Sequence, residues 1–151
     1  MQRRLAAYGV IMRDEHILLA HWNDRGRSAW TLPGGGVEPG EDPVDGVVRE
    51  IWEETGYHAS IDTLLGIDSH IIAPRDRMEH GQPPLQALRI VYEASILSGT
   101  LRFEEGGTTD EARWVPLDEV SSMHTVALVP TALRLWRERP ANGRLGHAGH
   151  A

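Results

Sequence analysis

The chain has 151 residues, is 40% hydrophobic and 25% charged, and carries a formal net charge of -7. That is enough chain for one domain with its own core, and it holds no Lys/Arg cluster of the kind a nucleic-acid binder presents. Cysteine is absent, which excludes disulfides, thiolate metal sites and cysteine nucleophiles together. No apolar run is long enough to span a bilayer. The N-terminal stretch, with Arg3 and Arg4, lacks the apolar core of a signal peptide. The default expectations are a cytoplasmic protein with neither nucleic acid nor membrane as partner. An acidic chain that handles an anionic substrate needs local help, from a divalent cation or a few placed arginines.

In chain order, residues 5–11 alternate loosely and predict a strand, and Arg13-Asp14-Glu15 a turn. Residues 16–22 predict a second strand. Residues 23–28 are polar and read as a loop. A short strand is expected at 30–32, ending at Pro33, and Gly34-Gly35-Gly36 then calls for unusual backbone. Residues 43–55 predict the best helix: Asp42 suits the N-cap, Pro43 the first position, and Gly56 the place just past the end. Strands are expected at 59–72 (broken by Gly66), 85–97, 101–104 and 112–115, with a charged, proline-rich loop at 74–84. Residues 130–139 predict a second helix with Leu133 and Trp136 toward the core, and the Gly/His-rich residues 141–151 a disordered tail after a domain spanning 1–140. Strands with two helices in this order suggest an α+β or α/β sandwich.

On a helical wheel, Val44, Val47, Val48, Ile51 and Thr55 share an arc that can bury against a sheet. Glu50, Glu53 and Glu54 share another, because residues three and four apart are neighbours. Each like-charged pair costs a few tenths of a kcal/mol. A divalent cation would relieve that, and hard carboxylate oxygens suit Mg²⁺ or Mn²⁺. From the helix alone, a solvated acidic face with Arg49 as surface partner accounts for the cluster as well. Gly46 lies on the same face, where a glycine costs roughly 1 kcal/mol against alanine. Either a side chain there would obstruct the substrate or the preceding loop, or the helix packs tightly at that point.

The flanking sequence decides between these readings. From Gly35 the chain runs five residues to Glu41, seven more to Arg49-Glu50-Ile51, then Glu53-Glu54 and Gly56-Tyr57. This resembles the Nudix box, a loop-helix-loop signature, with one departure: Tyr57 stands where the family has an aliphatic residue, at a position that packs. The approach Leu32-Pro33-Gly34-Gly35-Gly36 and the later segment Arg113-Trp114-Val115-Pro116-Leu117-Asp118-Glu119 are also similar to the family.

The resemblance implies the Nudix fold, a mixed central sheet between helices, and metal-dependent hydrolysis of a diphosphate bond in a nucleoside diphosphate linked to another group. It implies that Glu50, Glu53 and Glu54 bind Mg²⁺ (or Mn²⁺), with the Gly34 carbonyl as a further ligand. Arg49 would orient a carboxylate, and Glu41 would be structural. The general base varies in the family, and Glu111, followed by Glu105, is the candidate on a later loop. Substrate contacts lie outside the box: Trp22, Arg25, Arg27 and Gly35 are the candidates, with Trp30, His80 and Arg89 behind them. A core role for the tryptophans and solvent exposure for the loop arginines remain alternatives. The small, undecorated domain favours a nucleoside triphosphate as substrate, ahead of ADP-ribose or a nucleotide sugar. A non-catalytic nucleotide sensor is the rival, disfavoured because all three glutamates are present. Isomerase chemistry on an isoprenoid diphosphate needs a cysteine. The resemblance also implies a homodimer as one assembly.

Overall fold

The computed structural model describes residues 1–102 and 109–146. Among these residues, seven strands and two helices follow in the order β1 (Gln2–Arg13), β2 (His16–Asp24), β3 (Arg27–Thr31), β4 (Gly34–Gly36), α1 (Pro43–Thr55), β5 (Tyr57–Ile72), β6 (Leu85–Gly99), β7 (Thr109–Pro116) and α2 (Leu128–Glu138), with short 3-10 turns at Pro74–Asp76 and Leu117–Ser122. No helix among the described residues is long and apolar enough to cross a membrane.

β1 organises the sheet. Its first part pairs in parallel with β6, from Gln2 opposite Leu85 to Ile11 opposite Ala94, and antiparallel with β4. Its end pairs antiparallel with β2, which carries β3 on one side and β7 on the other. The main order is β3-β2-β1-β6-β5, so the sheet is mixed, as expected, and β5 is an edge.

Alternation along β1 splits the core. Ala6, Tyr8 and Val10 face α2, packing with Ile17, Leu19, Val91, Leu128, Val129, Leu133 and Leu135. Ala7 and Ile11 face α1, packing with Leu18, Val47, Ile51, Tyr57 and Ala59. The sheet therefore lies between the two helices, in the α+β sandwich the sequence predicts.

α1 has the predicted bounds. The Asp42 side chain accepts from the Val44 amide at 2.8 Å, and Gly56 closes the helix in the left-handed conformation. Its apolar arc is narrower than the wheel suggests: Val47 and Ile51 are fully buried, whereas Val44 sits exposed at the first turn, before the helix meets the sheet.

Other expectations shift. Residues 23–28 do not form an extended loop. β2 and β3 run through them to a two-residue turn at Arg25-Gly26, both with positive φ, the geometry of a tight hairpin. Their polarity reflects exposed strand ends. The triglycine is the short strand β4, and Gly34 alone of the three has positive φ, at 143°. β5 passes through Gly66 with shifts of register instead of breaking there. α2 begins two residues earlier than expected; Leu133 is buried and Trp136 packs against the core edge. Residues 101 and 102 are not strand, and 103–104, Glu105, His147 and His150 lie outside the described residues. Residues 141–146, read as the start of a tail, lie against β5, where the Ile67 amide donates to the Gly143 carbonyl at 3.0 Å.

Candidate active site on the first helix

The site forms where β4 meets α1. The Gly9 amide bonds the Pro33 carbonyl and the Val37 amide the Leu5 carbonyl. Residues 33, 35 and 37 therefore turn their backbone groups toward β1, and the alternation of an antiparallel ladder turns those of Gly34 and Gly36 outward. α1 meets this outer edge. The Gly34 amide donates to Glu54 at 3.0 Å, and the Gly36 carbonyl accepts from Arg49 at 3.3 Å. The Gly34 carbonyl lies on the same outward edge by that alternation.

Arg49 is fully engaged. Its Nε and one Nη2 proton hold both oxygens of Glu41, at 2.9 and 3.0 Å. Nη1 donates to Glu50 at 3.2 Å and Glu53 at 3.4 Å, and the remaining Nη2 donor goes to Gly36. A guanidinium has five N–H donors, so none is left over. Arg49 thus binds two carboxylates of the helix face and ties the face to the loop. The bidentate pair and the Glu38 amide hold the Glu41 carboxyl down to about 2. The same pairing, with Glu50 adding its charge, raises the proton affinity of Arg49. Glu41 also accounts for Gly46, where a Cβ would stand 2.8 Å from the Glu41 carboxylate. The preceding loop, and not the substrate, occupies that space.

Of the acidic face, Glu54 is buried, at 8% exposed, and Glu50 is half-buried. Burial, the largest influence, pushes the proton affinity of Glu50 up, while Arg49 opposes it. Gly35 makes room for the pair, since a Cβ there would lie 3.0 Å from the Glu50 carboxyl carbon. Among the described residues, no three acidic or histidine side chains converge as placed on one ion position, and Arg49 holds both Glu50 and Glu53. The donor set nevertheless fits a hard cation: all its ligands are oxygens, and a cation would offset the crowding of like charges on one helix face.

The other candidates are more scattered. Glu111, expected on a loop, lies in β7, on the face of Val115 and so toward α2; its carboxylate is taken by Arg113 at 2.7 Å. Arg25 stands at the hairpin turn and pairs with Glu79 at 3.2 Å; Arg27 is exposed on the other side of that turn. Trp22 lies on β2 opposite Ala29 and is half-buried. Trp30 packs at the core edge, with Arg113 4.9 Å above its ring. Arg89 is held by Asp68, and His80 is exposed in the loop before β6. Sequence reasoning missed the Glu41–Arg49 clamp and the contact of Gly35 with Glu50. Both join residues eight or more apart across a loop, and the only signal for them was glycine at a costly place. Tyr57 does pack, 6% exposed, and its hydroxyl accepts from the Trp114 indole at 3.1 Å.

The chain is similar to known proteins in sequence and in fold. The chain is 34% identical over 113 residues to an RNA pyrophosphohydrolase of Psychrobacter arcticus, a match over 66% of this chain and 65% of that protein. It is 33% identical over 120 residues to an ADP-ribose pyrophosphatase of Methanocaldococcus jannaschii, over 79% of this chain and again 65% of the relative. In both, the match spans just under two thirds of the relative's own length. The fold superposes on a NUDIX hydrolase from Nitrosomonas europaea with a TM-score of 0.78 at 22% identity, over 99% of this chain and 100% of that one. The NUDIX domain profile matches residues 2–135, and the chain belongs to that family.

Proposed function

We propose that this chain is a divalent-cation-dependent pyrophosphohydrolase that cleaves the diphosphate bond of a nucleoside diphosphate linked to another group. The observation that carries the reading is the gathering of Glu50, Glu53 and Glu54 on one helix face, with Glu54 buried against the Gly34 amide, beside an Arg49 whose donors are all spent on carboxylates and backbone. Crowding acids in this way destabilises a helix, and a bound cation offsets that cost.

Glu50, Glu53 and Glu54 would hold Mg²⁺, with the Gly34 carbonyl turned to the same edge. When bound, the ion supplies charge neutralisation for the anhydride and activates water. The chain's own residues do the positioning. Arg49 fixes Glu50 and Glu53 relative to β4, Glu41 fixes Arg49, and Gly35 lets Glu50 approach the strand. Glu111 is poorly placed as the base, since its strand aims it away from α1 and Arg113 holds it.

Nucleoside triphosphates stand first as substrates: a Bacillus subtilis relative, 32% identical over 106 residues, is named a putative 8-oxo-dGTP diphosphatase. ADP-ribose and nucleotide sugars stand second, because the names of the relatives divide between substrates. The test is phosphate or pyrophosphate release from triphosphates, ADP-ribose, nucleotide sugars and dinucleoside polyphosphates, each with Mg²⁺ and with chelator. Chelator-sensitive cleavage of one class supports the reading. Nucleotide binding without cleavage across the panel would replace it with the sensor reading.

A further inference from the structure

The acidic site leaves an electrostatic question open: what meets the negative charge of the substrate beyond the scissile bond? Arg49 has no donor to offer, because all five are committed within the protein. Arg25 pairs with Glu79 at the tip of the β2–β3 hairpin, and Arg89 is held by Asp68.

Arg4 is different. It is exposed on β1 and, among the described residues, makes no side-chain hydrogen bond or ion pair. Its neighbour Arg3, on the opposite face, bonds Gln86. Arg4 shares the face of Ala6, which stands opposite Gly36 in the β1–β4 ladder. Its guanidinium lies over Gly36: a Cβ there would be 3.7 Å from Nη2 and 4.0 Å from Nε. Gly36 is also the residue whose carbonyl receives Arg49. One glycine thus has a committed guanidinium at its outer edge and an uncommitted one over its other face.

We infer that Arg4 is a substrate-binding residue, contacting a phosphate oxygen of the substrate on the face of β4 opposite the carboxylates. The inference rests on the pyrophosphohydrolase reading above. β4 is three residues long, pairs only with β1, and carries no side chain. A phosphate chain can therefore pass over the strand beside the Glu54 and Arg49 side chains that engage its outer edge, with the anhydride over Glu50, Glu53 and Glu54 and the next phosphate over Gly36 at Arg4. That arrangement separates the two demands on the site. The carboxylates hold a cation on one face, and a cationic side chain free of competing acids holds the substrate on the other. Because Arg4 touches a group that does not react, it contributes uniform binding, which appears in KM and not in kcat.

The test compares wild type, Arg4→Gln and Arg4→Lys. Binding of α,β-methylene ADP and of adenosine is measured by calorimetry with Mg²⁺, and kcat and KM with whichever substrate class the panel identifies. A lost charge-assisted hydrogen bond predicts about tenfold or more weaker α,β-methylene ADP binding and a matching rise in KM for Arg4→Gln. It predicts unchanged kcat, unchanged adenosine binding, an unchanged melting temperature and partial recovery in Arg4→Lys. Equal affinity and KM in wild type and Arg4→Gln, with wild type active, would overturn the inference and leave the enzyme reading standing. If wild type neither binds nor cleaves any phosphate compound, both fall.

Discussion

Alanine at each of the three consecutive glycines should separate folding from chemistry, because each abuts a different object. At Gly34, φ is 143°, and an added Cβ would stand 2.3 Å from the Ala7 carbonyl oxygen and 2.6 Å from the Tyr8 Cα. Both are backbone atoms of the central strand and cannot rotate away. The conformation alone costs a side chain on the order of 1–3 kcal/mol, and the clash adds to it. Set against a total stability of about 5–15 kcal/mol, Gly34→Ala should yield little folded protein. At Gly35 the backbone is ordinary, and the atoms nearest the new methyl would be those of the Glu50 carboxyl, at 3.0 to 3.2 Å. That group ends a flexible side chain and can give by a few tenths of an ångström. Stability should stay within about 1 kcal/mol of wild type, helped by the reduced entropy of the unfolded chain. Turnover should not survive so well. A misplacement of ~1 Å costs ~100-fold, so a shift of a few tenths should cost about tenfold. At Gly36 the nearest atom is 3.7 Å away, an ordinary contact, and stability and kcat should both be retained. Urea denaturation and Mg²⁺-dependent turnover of the three variants provide the assay. A fully active Gly35→Ala, or a Gly34→Ala that melts with wild type, would refute this reading of β4.

Three further outcomes follow from the site. Glu54→Gln should fold, since its amide oxygen can still accept from Gly34, yet lose most turnover; near-normal rates would remove Glu54 from the metal set. Glu111→Gln should stay within about twofold of wild type, the scale of a surface substitution, and a loss of several orders of magnitude would make it the base after all. The Glu41 carboxyl is held down to about 2 when folded, against 4.5 unfolded. Its stabilisation is therefore complete above about pH 4.5 and is lost as pH falls toward 2. Denaturation at pH 5 and pH 3 should show wild type losing more stability over that interval than Glu41→Gln, and equal losses would deny the clamp a role in acid stability.

What could be read from the sequence depended on how local the cause was. α1 was legible to the residue because its cap, first proline and closing glycine act over a few positions. The carboxylate face was legible because helical spacing alone places Glu50, Glu53 and Glu54 together. The hairpin at Arg25-Gly26 was not, since polar side chains mark solvent equally well on a loop and on an exposed strand end. β4 was hidden for a related reason: three glycines have no side-chain pattern, and their strand exists only through pairing with Ala6, Ala7 and Tyr8. Glu111 was placed on a loop because β7 starts earlier than its apolar residues suggest, and strand parity then turned it away from α1. The clamp of Glu41 on Arg49 needed the loop's path, which spacing does not supply.

The close approach of Gly143 to β5 has a consequence for the protein among its own copies. β5 is a long edge strand with Leu64, Ile67 and Ile71 all more than half exposed, the profile of a template for unwanted strand addition. The Gly143 carbonyl claims the Ile67 amide near the middle of that edge, and Gly66 admits it only by lacking a side chain, since a Cβ would sit 2.4 Å from that oxygen. The segment after α2 thus works as a gatekeeper, interrupting the row of donors an incoming strand would need before it can zip along the edge.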